Sequence, residues 1–502
     1  MKRNLGIASL LLIGVTFILK VSGLLRDMTI AFYFGDSYLA DAYIAAFIIP
    51  NMLFLFMTNG MKNALVPSYV DAAEHNRGKK YLNQVLKGTA VISLALSLLG
   101  VVLAPFIVRT LYSGFSEEAV QISTVVTIIL FSSLFFVGLN SVFEAYFDAE
   151  KRFSLSIFSQ VIVVLSTILG AVLLAGELSV YSLAYGYLAG TIISLLFKMP
   201  ILKSDRIIEW KSNIDWTEVK KFYAIFIPVA LTVMVGQINL TVDNVFASRF
   251  SEGAVTYINY AKNLVHFPQQ IFGIAIATVI FPMLAKAMSN HNNNLFKKGV
   301  EDGLNAMYLI VLPSIIGMML LMPNIVELLY QRGEFGSGAV SNTTMVAYYY
   351  FGSVLFFSLN NVINKGFYTL KKGHLILIIG GISVLLNILF NYIFTSIIGY
   401  NGIPLASSFV GLFYAGLCYI VFSRLIGGMP HLKIAVEFIK ITAAAAVMTG
   451  SILLIQPFIT DWANIFQIAL VGAAGASVYG VSLLLVKAKS VNIVIERFKK
   501  KE

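Results

Sequence analysis

A small set of ionisable side chains lies inside long apolar stretches of this chain: Arg26, Asp27, Asp41, Glu144, Asp243, Lys262 and His266. A charge in a bilayer interior costs at least about 2.5 kcal/mol unless it faces water or a partner, so each one asks for a reason. Arg26, Asp27 and Asp41 fall at the corner between the first and second apolar stretches, and Asp243 and Lys262 at the corresponding corner between the seventh and eighth. A guanidinium grips a diphosphate through two parallel N–H bonds, and an ammonium adds a point charge, so Arg26 and Lys262 suit an anionic headgroup. The competing account is structural: Arg26–Asp41 and Asp243–Lys262 would be neutralising pairs that hold helix ends together. Glu144, near the inner end of the fourth stretch, is expected to be a solvated terminus. Lys365 is expected to snorkel to the cytoplasmic face. His266, beside Pro268, reads as a hydrogen-bonded packing residue rather than a proton-sensitive one.

Amides crowd the same four stretches: Asn51, Asn59, Asn63, Gln237, Asn239, Asn244, Asn263, Gln269 and Gln270. They suit sugar hydroxyls or a peptide stem, and equally they can glue helices together in lipid. Other chemistries find no support. The five histidines show no metal-ligand spacing, and the one cysteine, Cys418, permits no disulfide framework. With no G-x-x-x-x-G-K-[ST] cradle, ATP is not the energy source within this chain. No cofactor is expected; transport would run on the membrane potential, a monovalent cation gradient or the substrate's own gradient. No constellation for catalysis stands out, so an enzyme is not expected.

The elements that position these residues are helices in lipid. Of 502 residues, 58% are hydrophobic and only 12% charged, against about 25% charged in globular proteins. Apolar runs place spans at roughly 5–34, 38–59, 85–108, 119–147, 154–176, 180–200, 222–249, 255–285, 303–330, 339–369, 374–398, 402–423, 436–457 and 462–486, about fourteen in all. Several exceed 25 residues and must tilt, kink or protrude. The basic start, Met1-Lys2-Arg3, leads into further spans with no small-residue cleavage site, which reads as an uncleaved first helix.

With the N-terminus inside, 29 of the 36 Lys and Arg residues fall in cytoplasmic-side segments, Lys62 and Lys198 among them. An even helix count with both termini cytoplasmic follows. The net charge of +11 is then explained by topology and anionic lipid headgroups, not by nucleic acid.

The first twelve spans repeat. Asp27-Met-Thr-Ile-Ala31-Phe-Tyr-Phe34 matches Asp243-Asn-Val-Phe-Ala247-Ser-Arg-Phe250; Pro50 and Pro67 match Pro268 and Pro282; Lys151-Arg152 matches Lys371-Lys372; Leu183-Ala184 matches Leu405-Ala406. The expected fold is an all-α polytopic membrane protein, with two six-helix lobes around a central cavity plus a C-terminal helix pair. Its parts would be 1–221, 222–432 and 433–502, and rocking of the lobes would give alternating access.

Several motifs then carry a resemblance. Val21-Ser-Gly-Leu-Leu-Arg26-Asp27, Phe34-Gly35, Ala40-Asp41-Ala42, Ala46-Phe-Ile-Ile-Pro50-Asn51 and Ala64-Leu-Val-Pro67 resemble the start of the MurJ (MviN) lipid II flippases. Tyr260-Ala261, Phe267-Pro268, Leu329-Tyr-Gln-Arg-Gly-Glu-Phe335 and Gly366-Phe-Tyr368 continue it in order. This places the chain in the wider multidrug/oligosaccharidyl-lipid/polysaccharide exporter group. The resemblance implies a flippase that moves undecaprenyl-diphosphate-linked peptidoglycan precursor across the bacterial cytoplasmic membrane. Its partners would be that lipid-linked substrate, membrane lipids and cell-wall synthesis proteins. It also implies a groove for the polyprenyl tail at roughly 436–486. By position, Arg26, Asp27, Asp41 and Asn51 match residues at the family's cavity.

The chain departs from the pattern where Phe54, Leu55, Asn59 and Asn263 replace charged residues, with Lys262 next to Asn263 as a substitute cation. The alternatives left open are a flippase for another polyprenyl-linked polysaccharide or teichoic-type unit, a cation-coupled multidrug exporter, and a non-transporting scaffold.

Overall fold

A computed structural model describes residues 2–204 and 213–491. Within them the chain forms fifteen α-helices, two short 3-10 turns and no strand. The first seven helices are α1 (Lys2–Phe34), α2 (Tyr38–Glu74), α3 (Gly78–Leu111), α4 (Glu117–Ala149), α5 (Phe153–Leu178), α6 (Tyr181–Ser204) and α7 (Trp216–Ala247). Then come α8 (Ala254–Val265), α9 (Phe267–Ser289), α10 (Asn293–Tyr330), α11 (Ser337–Thr369), α12 (Gly373–Ile398), α13 (Gly402–Leu425), α14 (His431–Ile455) and α15 (Asn464–Leu485). Ten stretches of described helix, one of them the α12–α13 pair, are long and apolar enough to cross a membrane. The chain is a multi-pass membrane protein. The basic residues Arg206, Lys211, Arg497, Lys499, Lys500 and Lys501, counted above for topology, lie outside the described residues.

Fourteen expected spans become fifteen helices because the eighth is broken. His266 separates α8 from α9, and Pro268 occupies the first turn of α9. Proline has no N–H, and its ring collides with the carbonyl four residues back, so the ladder stops and restarts there. Elsewhere the starts are capped. Ser116 Oγ accepts from Ala119 N at 3.2 Å, Asp215 Oδ1 from Thr217 N at 2.9 Å, and Asn292 Oδ1 from Leu295 N at 2.9 Å. With 37 and 38 residues, α2 and α10 are each about 55 Å long and protrude beyond a hydrocarbon core of about 30 Å.

The outward faces are those of a protein solvated by lipid. Leu165, Leu169, Val172 and Leu173 form an exposed apolar stripe along α5, as Ile378, Leu385 and Leu389 do on α12. The buried positions of these two helices are largely small or polar, Ser156, Ser159, Thr167 and Ala171 on α5 and Gly380, Ser383, Asn387 and Asn391 on α12. A Cβ added at Gly186 would sit 2.6 Å from Ser166 O, and one at Gly190 would sit 2.9 Å from the Val163 Cα, so the G-x-x-x-G of α6 lets α5 approach at backbone distance.

The sequence repeat is written into the turns. Three pairs of residues take left-handed backbone at matching places: Asn76 (φ 59°) and His291 (φ 51°), Lys151 (61°) and Lys371 (56°), Ser179 (48°) and Gly399 (63°). The helices before the first two pairs close alike, with Arg77 N→Ala72 O at 2.8 Å answered by Asn292 N→Ala287 O at 2.9 Å. Arg152 N→Phe147 O at 2.7 Å is answered by Lys372 N→Phe367 O at 2.9 Å.

Packing divides the chain into two compact units: Met1–Thr256 with Arg332–Phe335, and Tyr257–Gln331 with Gly336–Glu502. In the first, α7 lies against α2 and α3: Gly60 leaves room for Phe226 and Ala230, Gly88 for Val219, and Tyr223 OH donates to Thr89 Oγ1 at 2.9 Å. In the second, α14 and α15 pack on α10 through Leu309, Leu321, Ile441, Met448, Ile452 and Val471.

Candidate functional site

In the first unit, the corner of α1 and α2 holds Arg26 and Asp27 as a pair. Arg26 Nη2 lies 2.8 Å and Nε 3.2 Å from Asp27 Oδ1, and Arg26 Cζ sits 5.7 Å from the centroid of the Phe47 ring. Asp27 is buried, whereas the Arg26 side chain is 27% exposed. Both bonds go to a single carboxylate oxygen, so the Nη1 edge of the guanidinium is not committed to it. A charge-neutralised but accessible guanidinium is what reversible binding of an anion needs, because a naked one would be too costly to keep in lipid.

Asp41 does something else. Its Oδ2 accepts from Gly253 N at 2.8 Å, and its Oδ1 accepts from Thr256 N at 2.8 Å and Thr256 Oγ1 at 2.6 Å. It is 4% exposed. The carboxylate caps the first turn of α8 from another helix, where unpaired amides and the helix dipole favour a negative charge. The Arg26–Asp41 pair considered from sequence is therefore not formed: Arg26 takes its neighbour, and Asp41 takes the amides of α8. Asn51 is half-buried on α2, and Asp243 is buried near the end of α7. Phe54, where the family resemblance leads one to expect an arginine, is buried and stacks on Tyr187 at 5.2 Å and 13°.

In the second unit, Lys262 on α8 is half-buried, with Nζ 5.7 Å from the centroid of Tyr350 on α11, while its neighbour Asn263 is exposed. His266 is held on both nitrogens, Nδ1 to Gln269 Oε1 at 2.6 Å and Nε2 to Ser353 Oγ at 3.2 Å. It is the packing histidine expected, stapling the α8–α9 break to α11. Lys365 places its ammonium over the rings of Phe281 and Tyr368, at 5.8 and 6.0 Å.

One cluster escaped the sequence reading. Glu144 is not a solvated terminus; it is 3% exposed, and Lys198, assigned to a cytoplasmic segment, is 0% exposed. Both lie well inside α4 and α6, whose helices run on to Ala149 and Ser204. Lys198 Nζ lies 3.3 Å from Glu144 Oε1, and Lys198 donates to Asn140 Oδ1. Gln160 Nε2 gives 2.6 Å to Glu144 Oε2, and Ser159 Oγ gives 3.1 Å to Oε1. Lys62 of α2 completes the group, 3.7 Å from Glu144 Oε2, 3.4 Å from Asp148 Oδ2 and 3.1 Å from Ser156 Oγ. The signal in the sequence was the four-residue spacing of Asn140, Glu144 and Asp148, which lays three polar groups along one face of an apolar helix.

Fold and charge placement together define an all-helical, polytopic membrane transporter. Residues 30–472 match the family model described as lipid II flippase MurJ, and the chain belongs to that family. The lipid II flippase MurJ of Burkholderia cenocepacia is 28% identical over 418 residues, covering 80% of this chain and 81% of its own. A probable lipid II flippase MurJ of Vibrio cholerae is 28% identical over 497 residues, 94% of each chain. Among solved structures, a lipid II flippase MurJ in an inward closed conformation superposes with a TM-score of 0.81 at 26% identity, over 95% of this chain and 99% of that one. An inward-facing multidrug-resistance MATE transporter of the MOP superfamily gives 0.70 at 13% identity, over 82% and 94%, a likeness of fold alone.

Proposed function

We propose that this chain translocates lipid II, the undecaprenyl-diphosphate-linked peptidoglycan precursor, from the inner to the outer leaflet of the bacterial cytoplasmic membrane. It does so by alternating access of the two repeat-related lobes, 1–221 and 222–432, without making or breaking a covalent bond. Family membership supports the substrate, and the partly exposed Arg26 guanidinium, neutralised by Asp27 through a single carboxylate oxygen, carries the reading at the level of the site. Arg26 holds the diphosphate, helped by Lys262; Asn51 and Asn263 face the sugar and peptide; Asp27 and Asp243 neutralise these cations when no substrate is bound. Asp41 positions the start of α8. The helix pair at 433–502 serves the polyprenyl tail. Both termini are cytoplasmic, and the cycle is driven by the membrane potential or a monovalent cation gradient, with no cofactor.

The test is complementation in a strain depleted of its own lipid II flippase, read together with the accessibility of lipid II in the outer leaflet. The wild type should rescue growth and restore outer-leaflet labelling. Arg26→Ala should insert normally and do neither, since one charge-assisted contact is worth about 1.5–3 kcal/mol. An inserted, stable wild type that leaves lipid II inaccessible would rule the substrate out. Restoration of labelling by Arg26→Ala would remove Arg26 from the site.

A further inference from the structure

The buried cluster of α2, α4, α5 and α6 contains two lysines and two carboxylates, and their environments differ in a way that assigns them different jobs. Lys198 is fully buried, and its ammonium bonds to Asn140 and Glu144. Glu144 is satisfied without Lys62, because Lys198, Gln160 and Ser159 already occupy its two oxygens. The Lys62 side chain, by contrast, is 25% exposed, and Asp148 is 17% exposed.

Lys62 also stands at the edge of a polar face. Asn59, Asn63 and Pro67 are the exposed positions of this part of α2, and Thr58 and Lys62 flank them half-buried. A face turned to lipid is apolar, as the Leu165–Leu173 stripe of α5 is. The amides of Asn59 and Asn63 mark this one as a face that meets water or a polar headgroup. Lys62 thus has one end of its reach in a carboxylate cluster and the other on a polar surface.

We propose that Lys62 is a further diphosphate-binding residue of this transporter, an exchangeable cation that leaves Asp148 to contact the substrate's phosphates. The proposal rests on the lipid-linked diphosphate reading above and adds a residue to it. Departure of Lys62 leaves Glu144 paired with Lys198, so no bare charge is stranded in the interior. The exposed edge of Asp148 takes water in its place, which keeps the exchange reversible. Asp148 is therefore a competitor for Lys62, and Lys198 is the fixed counter-ion that makes the competition affordable.

The measurement is binding of undecaprenyl diphosphate to the purified full chain in phosphatidylcholine nanodiscs, where the probe is the only anionic lipid. Lys62→Gln should weaken binding about tenfold, the worth of one charge-assisted contact, with a melting temperature close to wild type. Lys62→Arg should keep most of the affinity. Asp148→Asn should bind severalfold more tightly, because the competitor is gone; a lysine that merely ties α2 to α4 predicts no such gain. Repeating the titration with added phosphatidylglycerol separates the two sources of phosphate. Undiminished binding of the probe assigns Lys62 to the substrate, and displacement at equimolar phosphatidylglycerol assigns it to bulk lipid and overturns the proposal. Equal affinities for wild type and Lys62→Gln, or unchanged or weaker binding by Asp148→Asn, overturn it as well. A wild type that does not bind the probe at all overturns the lipid II reading along with it.

Discussion

At the residue scale, the lesson is how each charge inside the bilayer is kept. Arg26 is kept by its neighbour, Asp41 by the amides of a helix start, and Lys198 with Glu144 by each other and three polar side chains. Breaking a buried pair by removing one partner costs about 3–5 kcal/mol, because the survivor is left charged and dry. Lys198→Met alone should therefore lower the melting temperature sharply, whereas Lys198→Met with Glu144→Gln should recover much of the loss; equal losses in the single and double variants would show that the pair is not coupled. Of these residues, Arg26, Asp27 and Asp41 were legible in the sequence because a charge in an apolar run stands out. The partners of Asp41 and Glu144 were not, since Asp41 bonds to residues 212 and 215 positions away and Glu144 to one 54 away. Lys62 and Lys198 were hidden for a second reason: counted as topology markers at the ends of apolar runs, they looked already explained.

At the scale of elements, number and type were legible, while ends and breaks were less so. Apolar runs locate helices well, but α2 continues 15 residues past the run at 38–59 to Glu74, because a helix leaving the bilayer needs no apolar residues to persist. The α8–α9 break was half visible, since Pro268 announces a bend but not whether the helix kinks or restarts. The close approach of α5 and α6 gives a direct test. Gly186→Leu should destabilise the protein by about 1–3 kcal/mol, as overpacking does, because a side chain there meets the backbone at Ser166 and Thr167. Gly176→Leu, on the same helix pair but with open space around it, should leave the melting temperature unchanged.

For the whole molecule, the repeat and the helical, multi-pass character were readable because duplication and lipid solvation both leave periodic marks. The division into compact units was not, since α7 opens the second sequence repeat yet packs on α2 and α3. Orientation has a simple test. Cys418, the one native cysteine, is buried, so introduced cysteines can be read against a silent background. A membrane-impermeant maleimide added to spheroplasts should label Ser113→Cys and spare Lys371→Cys until the membrane is opened; the reverse pattern would invert the topology. The cap on α8 has a consequence in time as well. Asp41 leaves the ribosome 212 residues before Gly253, which at about 5–20 residues per second is roughly 10–40 seconds. Throughout that interval the growing chain carries an acidic group in its second span with no amide to receive it. Biogenesis must therefore shelter an unfinished corner, by a proton, by water or by the insertion machinery, until the eighth span arrives to complete the second.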